Sequence, residues 1–315
     1  MAMLASTAKK SCIDWAFTSP FWRGFKGFGW QDARVIAPVV DSSFLLSHPH
    51  AVVADVRWYL DGRSGHDAFR AGHLPGAIWI DLEAHLSGHG QPAAAGRHPF
   101  PTPSDFAAAM GSYGIDDHSV VVAYDDMGGM VAARLVVMLR MLGRDAALLD
   151  GGLAAWNAEG HPVNEGDGRT PEPTTFTEQS WPARRLADAD TAAAHAASGG
   201  TVLDARAADR FTGENAAIDP RPGHVPGARN APWQALLGPD SRMLPAIDLL
   251  AHYEAIGVDP GTNANTICYC GSGVSACLNV LAMERLGFDA PRLFVASWSG
   301  WSADPDRPTE TGPAQ

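Results

Sequence analysis

Cys270 opens the run Cys270-Gly271-Ser272-Gly273-Val274-Ser275, which leads straight into an Ala- and Leu-rich stretch. A thiol placed there sits beside a helix N-terminus. Free backbone N–H groups and the helix dipole favour an anionic sulfur at such a position. Gly271 and Gly273 let the backbone curl so that several N–H groups turn inward, and Ser272 and Ser275 add hydroxyls. These residue types in this order point to a sulfur nucleophile. A matching loop, Asp125-Asp126-Met127-Gly128-Gly129, lies 145 residues earlier and carries a carboxylate in place of the thiol. Only the later loop can perform cysteine chemistry. The earlier one is expected to be structural or to line the cleft.

Competing chemistries fall away on spacing. Cys-based phosphatases and arsenate reductases need an Arg near the loop's end to hold an oxyanion. Here the sixth residue after Cys270 is Ala276, and the first Arg is Arg285. The other cysteines are Cys12, Cys268 and Cys277. No C-x-x-C pair exists, so no zinc site is expected, and four cysteines form no secreted disulfide framework. Cys268 lies two residues before Cys270 on a predicted strand. It is either a redox partner or a small core residue, and Cys277 is expected in the core.

The elements that position the loop come in duplicate. Val52-Val53-Ala54-Asp55-Val56-Arg57 is echoed by Thr201-Val202-Leu203-Asp204-Ala205-Arg206. Gly72-His73-Leu74-Pro75-Gly76 is echoed by Gly223-His224-Val225-Pro226-Gly227, and Trp156 by Trp301. Landmarks in constant order at offsets near 150 residues mark a tandem duplication of a whole domain. In each copy, short apolar runs alternate with helical stretches. Strands are expected at 51–56, 119–124 and 146–149, and again at 201–204, 264–269 and 292–295. Helices are expected at 130–142 and 274–286, ended by Gly143 and Gly287. This pattern predicts an α/β fold, a parallel sheet with helices on both faces in each copy. Ligands then sit outside the carboxyl ends of the strands. The expected organisation is an extension over 1–33, a first domain over 34–165, a Pro- and Gly-rich exposed linker over 166–185, a second domain over 186–308 and a tail over 309–315. Residues 98–104 form a further Pro-rich loop.

The chain has 315 residues, enough for two such domains, with 46% hydrophobic and 18% charged residues. Its net charge of −12 disfavours nucleic acid and anionic membrane surfaces as partners. The longest uncharged stretch, 260–283, holds too many Ser, Thr and Asn residues to span a membrane. Lys9, Lys10, Arg23 and Lys26 against Asp14 would suit a presequence, but the segment lacks a clean amphipathic period and a compact apolar h-region and reads as an ordinary extension or the result of an upstream start codon. Few cysteines suit a reducing compartment, so a cytoplasmic location is expected.

Asp-x-Arg, Gly-His-x-Pro-Gly, then a strand and a Cys loop together resemble the two-domain rhodanese-type sulfurtransferases, over about residues 34 to 305. The loop C-G-S-G-V is similar to that of the 3-mercaptopyruvate sulfurtransferases, with Ser275 where Thr is usual. The resemblance implies tandem rhodanese-like domains, the first without a catalytic Cys. It implies transfer of sulfur from 3-mercaptopyruvate through a Cys270 persulfide to a thiol, a thioredoxin-like protein or cyanide. No metal or organic cofactor is implied. Thiosulfate as donor, or a non-enzymatic persulfide carrier, are the alternatives. Cys270 and Ser272 would be catalytic, with Gly271, Gly273, Val274 and Ser275 completing the loop. Arg210 and Arg221 would hold the small anionic donor, as guanidinium forks hold a keto acid. Some relatives run a Ser-His-Asp relay. Ser272 matches the serine and His73 the histidine, unless His73 only stabilises its Pro-Gly turn. Its acid partner would be Asp61 or Asp67. Asp55 and Asp204 are expected to cap local structure.

Overall fold

A computed structural model of the chain describes residues 36–258, 265–288 and 291–313. The extension over 1–33 and the start of the strand expected at 264 lie outside the described residues.

Two five-stranded parallel sheets carry the fold. In the first, β1 (Val39–Val40), β2 (Val52–Asp55), β3 (Ile78–Trp79), β4 (Val121–Tyr124) and β5 (Ala146–Leu149) run in the order β1-β5-β4-β2-β3. In the second, β6 (Leu186–Ala187), β7 (Val202–Asp204), β8 (Arg229–Asn230), β9 (Ile267–Tyr269) and β10 (Arg292–Phe294) repeat that order as β6-β10-β9-β7-β8. The central strands β4 and β9 are buried along their whole length, as continuous apolar runs in parallel sheets should be. The sequence pattern marks the three inner strands of each sheet. It misses the two-residue edge strands, which are too short to show a period.

The duplication persists at the level of single hydrogen bonds. Asp55 pairs with Arg57 and Asp204 with Arg206, each at 2.7 Å. Each arginine then donates at 2.7 Å to the carbonyl of the glycine before the histidine, Gly72 or Gly223. Tyr124 and Tyr269 each accept the N–H of the residue after that histidine, Leu74 or Val225. The Asp-x-Arg motif is therefore a clip that fastens the turn to the sheet.

The helices Ala132–Met141 and Ala276–Arg285 are apolar on nearly every face and pack against each other. A helix apolar all round belongs in an interior, and these two join the halves into one continuous core. Glu284 ties the seam, pairing with Arg140 at 2.9 Å and Arg185 at 2.6 Å. The stretch expected as an exposed linker is partly anchored. Phe176 is buried against Phe106, and the Trp181 indole donates to the Pro101 carbonyl. Its aromatic residues explain the difference, since each has an apolar face to bury. No helix among the described residues is long and apolar enough to cross a membrane.

Candidate active site

β9 ends at Tyr269 and delivers Cys270 to the carboxyl edge of the second sheet, almost fully buried. Its Sγ accepts the Gly273 N–H at 3.1 Å. Gly273 has φ +77°, and a side chain there would run into the Val295 carbonyl, so only glycine gives this curl. The segment 297–299 grips the loop from behind. Ser297 Oγ accepts the Cys270 N–H at 3.1 Å, while Trp298 and Ser299 N–H groups donate to the Cys270 and Gly271 carbonyls. Val274 is buried, and Ser275 leads directly into the helix Ala276–Arg285 without making a side-chain cap.

The first half shows what such a loop is shaped to hold. The Asp125 carboxylate accepts four backbone N–H groups: Met127 and Gly129 at 2.8 and 2.7 Å, Val131 and Ala132 at 2.8 and 3.0 Å. Burial raises the pKa of Asp125, and those N–H groups oppose the shift. The loop is an anion cradle filled by its own side chain.

Ser272 meets a histidine from the first half, and that histidine is His98. Its Nδ1 lies 2.8 Å from Ser272 Oγ. His73, expected in this role, stands elsewhere. Its Nδ1 faces the Phe69 carbonyl at 2.9 Å, and its ring stacks on Phe69. His224 does the same with Phe211 in the other half, so both histidines serve their turns. The acid nearest His98 is Glu83, with Oε1 3.9 Å from Nε2 and held by the Trp58 indole at 3.0 Å. Asp61 is instead paired with Arg63, and Asp67 lies in the first turn of its own helix.

Burial pushes the pKa of His98 down to about 4, and the nearby charges of Arg134 and Arg97 push the same way. The ring is therefore neutral at pH 7. The unfolded chain takes up this proton near pH 6.5, while the folded chain resists until about pH 4. The stability this provides is complete above pH 6.5 and is lost as the pH falls towards 4. Thermal midpoints of wild type and His98→Asn measured from pH 7 to 4.5 should show the steeper acid loss in wild type. Parallel curves would refute the assignment.

Three arginines surround the loop, and they are not the expected pair. Arg210 is present, gripping Asp219 through Nε at 2.9 Å and Nη2 at 2.6 Å. Arg221 is not: its Nη1 donates to the Asp304 and Arg307 carbonyls at 3.0 Å each, fastening the C-terminal segment. Only two residues separate Arg221 from the clipped turn at His224, so it follows that turn away from the loop. Arg97 stands over Gly271 together with Arg210. Arg134 is fully buried and donates to the carbonyls of Gly273 at 2.9 Å, Leu86 at 3.1 Å and His98 at 2.8 Å. Arg97 and His98 sit at the edge of the Pro-rich loop 98–104, and chemistry-bearing residues in a rigid loop were the available signal. Arg134 and Glu83 carried none.

Cys268 and Cys277 are fully buried free thiols. Burial raises the Cys268 thiol strongly and Cys277 to about 12, so both stay protonated and serve as core. No cluster that could hold a metal occurs among the described residues.

A free cysteine at a strand's carboxyl end, leading into a helix in the second of two like α/β units, with a carboxylate at the matching place in the first, defines a tandem-domain α/β protein. The chain belongs to the rhodanese family: the rhodanese-like domain matches residues 45–159 and 188–304. It is 42% identical over 271 residues to the probable 3-mercaptopyruvate sulfurtransferase of Pseudomonas aeruginosa, covering 85% of this chain and 94% of that one. It is 39% identical over 265 residues to a putative thiosulfate sulfurtransferase of Mycobacterium tuberculosis, covering 83% and 91%. The solved 3-mercaptopyruvate sulfurtransferase from Leishmania major superposes with a TM-score of 0.73 at 29% identity, over 86% of this chain and 75% of that one.

Proposed function

We propose that the chain is a sulfurtransferase that takes sulfur from 3-mercaptopyruvate onto Cys270 and passes it to a thiol, a thioredoxin-like protein or cyanide. The carrying observation is the Cys270 sulfur held by the Gly273 N–H, with Ser272–His98 and two guanidinium groups around it. The uncharged loop after Cys270 and the name of the Pseudomonas relative support the donor.

The Cys270 thiolate attacks the donor sulfur. The carbon–sulfur bond breaks, its electron pair stays on carbon as the pyruvate enolate, and Cys270 becomes a persulfide. Ser272 hands a proton to the enolate carbon and regains one from Nδ1–H of His98, while Nε2 of the same ring takes up a proton from solvent, so the imidazole ends neutral. By the 145-residue offset, the N–H groups that bind Asp125 correspond to those of Ser272, Val274, Ala276 and Cys277. The Cys277 N–H is taken by the Val274 carbonyl. The other three remain for the outer sulfur. Attack by the acceptor thiolate on that sulfur releases free Cys270. The cytoplasm suits a protein whose described cysteines are all free thiols.

Thiosulfate is the second reading, favoured by the name of the mycobacterial relative. Relative kcat/KM on the two donors decides. Pyruvate release with 3-mercaptopyruvate should exceed thiosulfate turnover by about tenfold or more, as an oriented keto acid should. The reverse ratio selects thiosulfate, and a single persulfide without turnover selects a carrier.

A further inference from the structure

We propose that Trp58 is a positioning residue of the proton relay: its indole holds the Glu83 carboxylate off the His98 ring, which leaves Nε2 open to solvent and keeps the ring's proton on Nδ1, facing Ser272. This deepens the proposed function and rests on it for the use of the relay.

Three side chains meet at the ring. Glu83 is the one acid there among the described residues, and its Oε1 stands 3.9 Å from Nε2, outside hydrogen-bond reach. The Trp58 indole N–H donates to that same oxygen at 3.0 Å, and no other hydrogen bond reaches this carboxylate among the described residues. The Trp58 ring itself lies edge-on to His98, with centroids 5.3 Å apart. Trp58 therefore touches both the imidazole and the acid, and it holds on to the acid.

Trp58 is fixed on both sides. Arg57 before it is pinned by Asp55 and by the Gly72 carbonyl, each at 2.7 Å, and the Tyr59 hydroxyl after it donates to Asp126 at 2.6 Å. Glu83 sits in the first turn of the short helix Leu82–His85, whose N-cap Asp81 accepts the Glu83 N–H at 2.7 Å. Both backbones are thus set, and the indole tie decides where a largely exposed carboxylate points. The duplication supplies a control. At the place of Trp58 the second half has Ala207. The Asp-x-Arg clip works there without a tryptophan, so the shared scaffold does not demand one.

The consequence follows from charge. A carboxylate within reach of Nε2 takes a proton-bearing nitrogen as its partner, and such a charge-assisted bond is stronger than a neutral one. A freed Glu83 would therefore draw the proton to Nε2 and leave Nδ1 bare before Ser272 Oγ, 2.8 Å away. It would also favour the charged form of a ring that burial and the charges of Arg134 and Arg97 now keep neutral. Ser272, two residues after Cys270, is the remaining polar partner of the ring among the described residues.

The test reads the ring directly, by NMR of the full chain with labelled histidine, the His98 signals being assigned by their loss in His98→Asn. In wild type at pH 7 the proton should be on Nδ1, and the ring should titrate near pH 4. In Trp58→Phe the proton should move to Nε2 and the titration should rise by about one to two pH units. Its kcat on 3-mercaptopyruvate should fall about tenfold with KM little changed. Adding Glu83→Gln to Trp58→Phe should reverse all three effects, since the amide carries no charge. Lost packing alone would not be undone by a second substitution at an exposed side chain. A wild-type proton on Nε2 would overturn the proposal even if no variant folded. An unmoved titration in Trp58→Phe, or a deeper loss of kcat in the double variant, would overturn it too. If wild type turns over no sulfur donor, the proposed function fails, and the NMR measurements still judge the Trp58 tie.

Discussion

Mixed with 3-mercaptopyruvate, the wild-type protein should gain about 32 Da, one sulfur atom, and Cys270→Ser should gain nothing. Turnover in that variant should drop on the order of 10⁴-fold or more, because a hydroxyl cannot carry the sulfur between donor and acceptor. The same experiment on Cys268→Ser and Cys277→Ser should keep the adduct. Those thiols are sealed in the core and protonated, while Cys270 alone faces the cradle and receives the Gly273 N–H. Intact mass before and after a thiol acceptor checks both halves of the cycle, since the extra mass must then leave. A wild type that never gains the sulfur, or a Cys270→Ser protein that does, would end the persulfide mechanism.

The fold was legible because the duplication wrote it twice. Paired motifs at nearly constant offset fixed the inner strands, and the Cys270 loop stood out because its partner loop holds Asp125 instead. What stayed hidden is whatever acts between the halves. The resemblance pointed to His73, which sits in a repeated motif, yet repetition is the sign of a structural role, as His224 shows by making the same contact. His98, Arg97 and Arg134 have no chemistry-bearing counterparts in the second half, and they reach the loop only because two apolar helices bring the halves together. A one-dimensional pattern records spacing within a half and says little about which side chain crosses the seam. Arg221 failed for a related reason: the clipped turn beside it sets its direction, and that clip depends on Asp204 and Arg206.

Arg134→Met should damage catalysis more than stability, with kcat reduced about 100-fold and the protein destabilised by about 3 kcal/mol. Arg134 is a fully buried cation with no carboxylate partner among the described residues, and burial lowers it only to about 10, so it remains charged at pH 7. Its place rests on the carbonyls of Gly273, Leu86 and His98 and on the Phe100 ring, 4.3 Å below the guanidinium. Methionine removes the desolvated charge, which is a gain, but leaves those carbonyls unmatched, at about 1–3 kcal/mol each. The net loss should lower the thermal midpoint by roughly 5–10 °C. The catalytic loss has a separate cause. Arg134 holds the Gly273 carbonyl, and the N–H of that residue holds Cys270 Sγ; it also holds the His98 backbone, whose ring meets Ser272. One guanidinium thus sets the distance between nucleophile and proton relay, and an error of about 1 Å there costs about 100-fold. Arg134→Lys keeps the charge but cannot span three carbonyls, so its kcat should stay well below wild type. Assays run far below each variant's midpoint separate the two effects. A lowered midpoint with unchanged kcat would reduce Arg134 to a packing role, and unchanged values of both would remove it from the site altogether.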